Sequence, residues 1–200
     1  KYNGPGGFTP PQSIHEIPMP DIKRGIYRGS SAEERYLKTL SNKIDLIKSQ
    51  GKKPIFIFES FMGCGGQLPL PERFLKRGHK LIQQSCGISI ADEVQTGFGR
   101  LGSHYWAFEF FDIEPDIVTL GKSMGNGFPL SAVITTREIA NRFDNGMEYF
   151  NSFGGNAVSS VVGDTVLKII AEEGLQENAK DVGQYLKRQL LELKYKIPII

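Results

Sequence analysis

Short apolar runs alternate with helical segments along this chain, and that alternation limits its fold more than any other feature of the sequence. Three of the runs are PIFIF at 54–58, ISIA at 88–91 and DIVTL at 116–120. Runs this short do not make buried helices, and their nearly continuous apolar character is typical of strands packed on both faces. The pattern predicts an α/β fold with a mostly parallel sheet flanked by helices.

Proline and glycine mark the ends of the helices between these runs. A helical segment from Ser31 is followed by Gly51, and the segment PERFLKRGHKLIQQSC has Pro71 near its first turn and Gly87 after its end. Proline tolerates the first turn because it lacks an N–H, and glycine ends helices because it readily adopts the left-handed conformation. A further strand, SAVITT, and a short helix from Arg137 follow the third run.

Three regions follow one another along the chain. Residues 1–30 are rich in glycine and proline and predict an irregular connection, and residues 31–156 carry the alternation of strands and helices. Residues 157–200 begin with two long helical segments that Gly174 separates. Because the final apolar run, KYKIPII, has no partner strand, we expect the chain to be part of a longer protein.

The composition excludes several classes of partner. Lysine and arginine total 24 against 22 aspartates and glutamates, and the charges are mixed along the chain, so we expect neither a nucleic-acid nor a membrane partner. The two cysteines, Cys64 and Cys86, lack CxxC spacing, and no signal peptide or long apolar stretch is present. We therefore expect a protein of the reducing cytoplasm.

Charged residues follow all three apolar runs. The runs end at Glu59, at Asp92 and just before Lys122. Ligands of open α/β sheets bind beyond the carboxyl ends of the strands, where loops converge. If the three strands are parallel neighbours, these charges gather at one sheet edge and mark a candidate site, although strands also end at charges that are merely solvated.

Other sites are poorly supported by the sequence. GKS at 121–123 resembles part of a phosphate-binding loop. That motif requires a glycine five positions before Gly121, but this chain has Asp116 there. No serine lies in a GxSxG sequence, so a hydrolase triad is not indicated. The histidines have no metal-ligand spacing, and we expect no metal site; they are His15, His79 and His104.

A lysine beside an aspartate suits pyridoxal phosphate chemistry. A neutral lysine amine forms imines, and an aspartate can keep a pyridine nitrogen protonated so that the ring withdraws electrons. We expect the apolar run before Lys122 to desolvate its amine and favour the neutral form. Taken alone, Lys122 could equally be a surface lysine in a turn.

Three separated segments, IADEVQTGFGR, PDIVTLGKSMGNGFPLSAV and FNSFGGN, resemble the class III pyridoxal-phosphate aminotransferases of fold type I. The resemblance covers nearly the whole chain, in the family's order. It implies that the chain is the major part of the large domain and leads toward a small C-terminal domain outside it. It also implies that Lys122 forms a Schiff base with the cofactor and that Asp92 pairs with the pyridine nitrogen.

The same resemblance assigns the remaining site residues. Val94 is expected to pack on the ring face, Gln95 to reach the ring hydroxyl, and Glu59 to lie nearby. Ser152 stands where the family usually has a threonine whose hydroxyl reaches the cofactor phosphate from the neighbouring subunit. A homodimer with shared active sites, acting on a small-molecule amine, is therefore implied.

One departure leaves the reaction open. Related ω-aminotransferases carry a second glutamate where this chain has Cys64, and that glutamate pairs with a substrate-binding arginine. Its absence makes the usual dicarboxylate acceptor doubtful, and ESFMGCGGQ resembles the branch that includes ethanolamine-phosphate phospho-lyase. The sequence thus leaves three alternatives: a transaminase, a phospho-lyase, or a non-catalytic scaffold domain of the same fold.

Overall fold

The fold is built on a four-stranded sheet. The computed structural model describes residues 9–68, 70–71 and 73–197. The strands are β1 (Ile55–Glu59), β2 (Ile88–Asp92), β3 (Ile117–Leu120) and β4 (Ala132–Thr135). They lie in the order β1-β2-β3-β4, with β1, β2 and β3 parallel and β4 antiparallel to β3. The predicted α/β class with a mostly parallel sheet is confirmed.

Five α-helices accompany the sheet in the described part of the chain. They are α1 (Ala32–Ser49), α2 (Phe74–Gln84), α3 (Arg137–Phe143), α4 (Ala157–Glu172) and α5 (Leu175–Lys196). Two short 3₁₀ helices, Ala107–Phe111 and Lys122–Met124, precede β3 and follow it. Residues 9–30 contain no helix or strand. The rest of the predicted connection, residues 1–8, and the last three residues of KYKIPII lie outside the described residues.

The helix ends follow the expected chemistry at α1 but not at α2, which begins at Phe74, three residues after Pro71. Gly51 adopts the left-handed conformation, with φ +69°, and its N–H donates to the carbonyl of Lys48 at the end of α1. After α2, however, the left-handed residue is Cys86, with φ 52°, and not Gly87. Gly87 serves a close approach instead, because a Cβ there would lie 2.7 Å from the carbonyl oxygen of Pro54.

The hydrophobic core lies between the sheet and the layer formed by α1 and α2. The buried residues of α1 are Ala32, Tyr36, Leu37, Leu40 and Ile44. These side chains pack with those of α2 and with Phe58 and Ala91 from the covered sheet face. Each buried side chain of this size contributes about 1.5–3 kcal/mol to the free energy of folding, so this layer fixes the position of β1 and β2.

The opposite face of the sheet is largely open in the described chain. Ile55 and Ile57 of β1 are 61% and 62% exposed. The prediction that PIFIF is buried on both faces is therefore wrong. Among the described residues β1 is an edge strand, and of its side chains only Phe56 and Phe58 contact the core.

A polar clamp fixes the amino ends of β2 and β3. The Asp116 carboxylate accepts hydrogen bonds from the backbone N–H and the hydroxyl of Ser89, both at 2.8 Å. The hydroxyl of Thr135 also donates to the Asp116 carbonyl at 3.0 Å. Because this residue binds β2 and β4 at once, it sets the register that determines where the strands end.

No helix in the described residues combines the length and the apolar character needed to cross a membrane.

His79 of α2 predicts a pH dependence of stability. It is buried and its Nδ1 has no hydrogen-bond partner in the described residues. Burial lowers the pKa of His79 below its ordinary 6.5, although Asp116 and Glu114 oppose that effect. The unfolded chain then binds more protons, so the free energy of unfolding should fall as pH decreases from about 7 to about 5.

The variant His79→Leu should flatten this decline in chemical denaturation of the full-length protein. The matched control, His15→Leu in the irregular amino-terminal segment, should keep the wild-type slope. Equal slopes for the His79 variant and the wild type would exclude His79 as the titrating group.

Candidate functional site

Two acidic side chains lie side by side at the carboxyl edge of the sheet. Glu59 and Asp92 are paired residues in the register of β1 and β2, and Asp92 is paired with Thr119 of β3. Paired residues on neighbouring strands point to the same face, which here is the open face opposite α1 and α2. Lys122 follows three residues after Thr119, so the three predicted strand ends do meet at one edge.

Asp92 keeps one carboxylate oxygen free of partners. Its Oδ1 accepts a hydrogen bond from the N–H of Val94 at 3.1 Å, whereas Oδ2 has no partner in the part of the chain that the structure describes. Val94 in turn lies against Gly121, since a Cβ at that glycine would be 3.6 Å from both Val94 methyl groups. Asp92 and the lysine turn are therefore connected through Val94.

Lys122 has an unusual backbone conformation. Its φ is 38°, in the left-handed region that non-glycine residues rarely adopt. Such a conformation costs of the order of 1–3 kcal/mol and tends to persist at functional sites. The Lys122 side chain is exposed, so the prediction that the preceding apolar run desolvates its amine is wrong: the described residues leave the amine open to water.

The turn after Lys122 needs a glycine for close packing. A Cβ at Gly125 would lie 2.0 Å from the carbonyl oxygen of Phe128, so any other residue would force the turn open. Arg100 supports the same turn from another loop, because its Nε and Nη2 donate to the hydroxyl of Ser123 at 3.1 and 3.0 Å. Arg100 was not predicted as a site residue, because nothing in its spacing from Ser123 along the sequence indicates the contact.

Glu93, between Asp92 and Val94, is fully buried, and it too was not predicted as a site residue. Its carboxylate accepts hydrogen bonds from the hydroxyls of Ser60 and Thr96 at 3.2 and 3.1 Å. The backbone N–H groups of Ala107 and Phe108 donate to it at 2.9 and 3.0 Å. The only sequence signal is an acidic residue inside a segment that is otherwise suited to burial.

A cleft of about 560 Å³ opens beside Gln95 and the loop that contains Cys64. The Gln95 amide contacts the Cys64 sulfur at 3.2 Å, and the N–H of Gly63 donates to Glu59 Oε2 at 3.1 Å. None of the described lining residues is charged; they are Phe61, Met62, Gly63, Cys64, Gln67, Leu68, Gln95 and Thr96. The structure thus brings Gln95 and Glu59 together around the loop that contains Cys64.

Ser152 lies in an exposed loop, 144–156, and makes no hydrogen bond with the described residues of its own chain. The loop also exposes large apolar side chains. Met147 is 81% exposed, Phe150 is 80% exposed and Phe153 is 87% exposed. Ser152 therefore does not join Lys122 and Asp92 within one chain by any contact that the structure describes.

The family model for aminotransferase class III matches residues 3–200. Two curated relatives are mitochondrial alanine–glyoxylate aminotransferases. The human enzyme is 43% identical over 171 residues, which are 84% of this chain and 33% of the relative. Homolog 2 from Arabidopsis thaliana is 45% identical over 190 residues, which are 94% of this chain and 38% of the relative. The chain thus spans less than two fifths of the length of either.

A solved structure is similar as well. A phospholyase from Arthrobacter in complex with phosphoethanolamine superimposes with a TM-score of 0.77 and 35% identity, covering 82% of this chain and 39% of that chain. The predicted family and the fold type I class are confirmed by these comparisons. The predicted cytoplasmic location is wrong, because the human and Arabidopsis relatives are mitochondrial proteins.

Proposed function

We propose that this chain, which belongs to the class III aminotransferases, carries the cofactor site of a transaminase that acts on a primary amine. The cofactor of this family is pyridoxal phosphate. The observation that carries the proposal is the meeting of Asp92 and Lys122 at one sheet edge, with Val94 packed between them against Gly121.

The residues present fit this cofactor. Asp92 has an acceptor oxygen, Oδ2, that no described residue occupies, and such an oxygen suits a protonated ring nitrogen. Val94 offers an apolar surface, and the Gln95 amide and Lys122 amine lie in adjoining loops. We assign the ring nitrogen to Asp92, the ring face to Val94, the ring hydroxyl to Gln95 and the covalent attachment to Lys122; Glu59 supports the site through Gly63.

Pyridoxal phosphate supplies an electron-withdrawing ring that weakens the bonds at the carbon bearing the substrate amine. Asp92 contributes by stabilising a proton on the ring nitrogen, because its negative charge favours the positively charged ring. The Lys122 amine, once free and neutral, can remove the proton from that substrate carbon and return a proton in the later half of the reaction. The left-handed backbone conformation of Lys122 sets the direction in which its side chain leaves the turn.

Arg100 maintains the turn that carries Lys122. Its two hydrogen bonds to Ser123 bind the residue next to the lysine to the loop that follows Gln95. A loop that is anchored at two points positions its side chains more precisely than a free loop. This contact therefore supports the placement of the lysine amine relative to Asp92.

Loop 144–156 favours a homodimer with shared sites. An exposed cluster of large apolar side chains is typical of a protein interface, because monomers rarely leave such a patch in water. Ser152 lies within this cluster. We infer that the loop packs on a second copy of the chain and that the Ser152 hydroxyl binds the cofactor phosphate in the partner's site.

A second reaction has support in the cleft beside Gln95. Cys64 occupies the position where related ω-aminotransferases have a glutamate, and the similar phospholyase binds phosphoethanolamine. Phosphate elimination from a phospho-amine is therefore the alternative to amino transfer. The aminotransferase relatives, at 43% and 45% identity, favour transfer.

The first prediction from the proposed function concerns Lys122. In the full-length protein, Lys122→Ala should remove the visible absorbance of lysine-bound pyridoxal phosphate and lower activity roughly a hundredfold or more, as expected for a positioned proton-transfer group. The matched control Lys80→Ala, at an exposed position on α2, should retain both properties. If the wild type binds no pyridoxal phosphate, the scaffold alternative replaces the proposal.

The second prediction concerns the reaction. The full-length protein should convert alanine only when a keto acid such as glyoxylate is present, with one amine formed for each amine consumed. Incubation with ethanolamine phosphate should release no inorganic phosphate. Phosphate release without any keto acid would instead assign the protein to the elimination reaction.

The third prediction concerns the dimer. Phe150→Asp should shift the full-length protein from dimer toward monomer in analytical ultracentrifugation, since a buried unpaired charge is costly at an interface. Cofactor affinity should fall in parallel because the partner's Ser152 is lost. Tyr195→Asp on α5, at a residue that is 90% exposed, should leave the dimer intact. A Phe150→Asp protein that remains dimeric would place the interface elsewhere.

A further inference from the structure

We propose that Glu93 is the positioning residue of the site, and that its buried carboxylate sets the orientation of Asp92 and Val94 toward the cofactor. The inference rests on the proposed function. Glu93 is the residue between those two, and it faces away from them into the interior, where its carboxylate is fully buried. It touches no reacting group, so its effect must act through its neighbours.

The carboxylate joins three separate elements. Oε1 accepts from the Ser60 hydroxyl just after β1 and from the Phe108 N–H, while Oε2 accepts from the Thr96 hydroxyl and the Ala107 N–H. The backbone of Glu93 adds two more contacts. Its N–H donates to Thr119 of β3 at 3.0 Å, and its carbonyl accepts from Gly97 at 2.9 Å.

These contacts leave Glu93 little freedom to rotate. A buried carboxylate costs several kcal/mol to desolvate unless hydrogen bonds satisfy it, and here four donors replace water. No lysine or arginine forms an ion pair with it among the described residues. Since Asp92 and Val94 are bonded directly to this fixed residue, its geometry is transmitted to both.

A glutamine cannot replace the carboxylate at this position. Serine and threonine hydroxyls can reverse their role and accept a hydrogen bond, but the N–H groups of Ala107 and Phe108 can only donate. Whichever way the amide of a glutamine is turned, its NH₂ group faces one of those two N–H groups. The substitution must therefore displace either the 3₁₀ helix 107–111 or the turn 93–97.

The test compares Glu93→Gln with Glu109→Gln in the full-length protein. Glu109 is exposed and its carboxylate accepts from the Trp106 N–H at 3.0 Å at the start of the same 3₁₀ helix, so it is a matched control that does not touch the turn 93–97. Glu93→Gln should weaken pyridoxal phosphate binding roughly tenfold and shift the pH profile of the bound cofactor's absorbance. Glu109→Gln should change neither.

A cofactor-free measurement separates this inference from the proposed function. Hydrogen exchange in the apo protein should be faster over residues 92–97 in Glu93→Gln and unchanged there in Glu109→Gln. If the wild type takes up no cofactor, the proposed function fails, and Glu93 then has no cofactor to position. If Glu93→Gln lowers thermal stability but leaves cofactor affinity and the pH profile unchanged, Glu93 is only structural and the inference is wrong.

A milder variant covers the case in which Glu93→Gln does not fold. Ser60→Ala removes one of the four donors and keeps the carboxylate. Its cofactor affinity should fall in the same direction by a smaller factor, roughly twofold to fivefold. An unchanged affinity in a folded Ser60→Ala protein would contradict the transmission from Glu93 to Asp92.

Discussion

The buried carboxylate of Glu93 is the contact on which the arrangement of this edge of the sheet depends. Asp92 ends β2 and Val94 begins the next loop, and the hydrogen bonds of Glu93 hold the chain in place at this junction. Four donors from the end of β1, the turn 93–97 and the 3₁₀ helix at 107–111 converge on one side chain. Two of the buried polar residues of the described chain, Ser60 and Glu93, thus lie directly behind the candidate site.

One face of the sheet packs against the core, and the other face carries the candidate site. The helices α1 and α2 cover one face and supply half of the buried hydrophobic residues of the described chain. The other face carries Glu59 and Asp92 and stays open in the described chain. Because cross-strand register places paired residues on the same face, the pairing of β1 with β2 brings Glu59 beside Asp92. The clamp between Asp116 and Ser89, at the far end of β2 and β3, fixes Asp92 opposite Thr119.

The sequence predicts the architecture well because its strongest signals are local. Apolar runs, their charged ends and the glycines of the turns are all readable without tertiary information, and they correctly place Glu59, Asp92 and Lys122 at one edge. The burial of Ile55 and Ile57 was predicted wrongly because no local signal says which strand lies at the edge of a sheet. The expected desolvation of Lys122 was also wrong. The residues that surround a side chain come from other elements of the fold, and the apolar run before the lysine does not reveal them.

The helical hairpin of α4 and α5 contacts the surroundings of the candidate site, although the hairpin itself has almost no buried residues. A Cβ at Gly102 would lie 2.5 Å from the backbone of Lys180 in α5, and one at Gly163 in α4 would lie 2.6 Å from Leu130. The two helices therefore rest directly on the loop that contains Arg100 and on the segment that follows the lysine turn. A rigid-body tilt of the hairpin would therefore move the loop that contains Arg100 and the segment after the lysine turn together, and both contact the turn that carries Lys122.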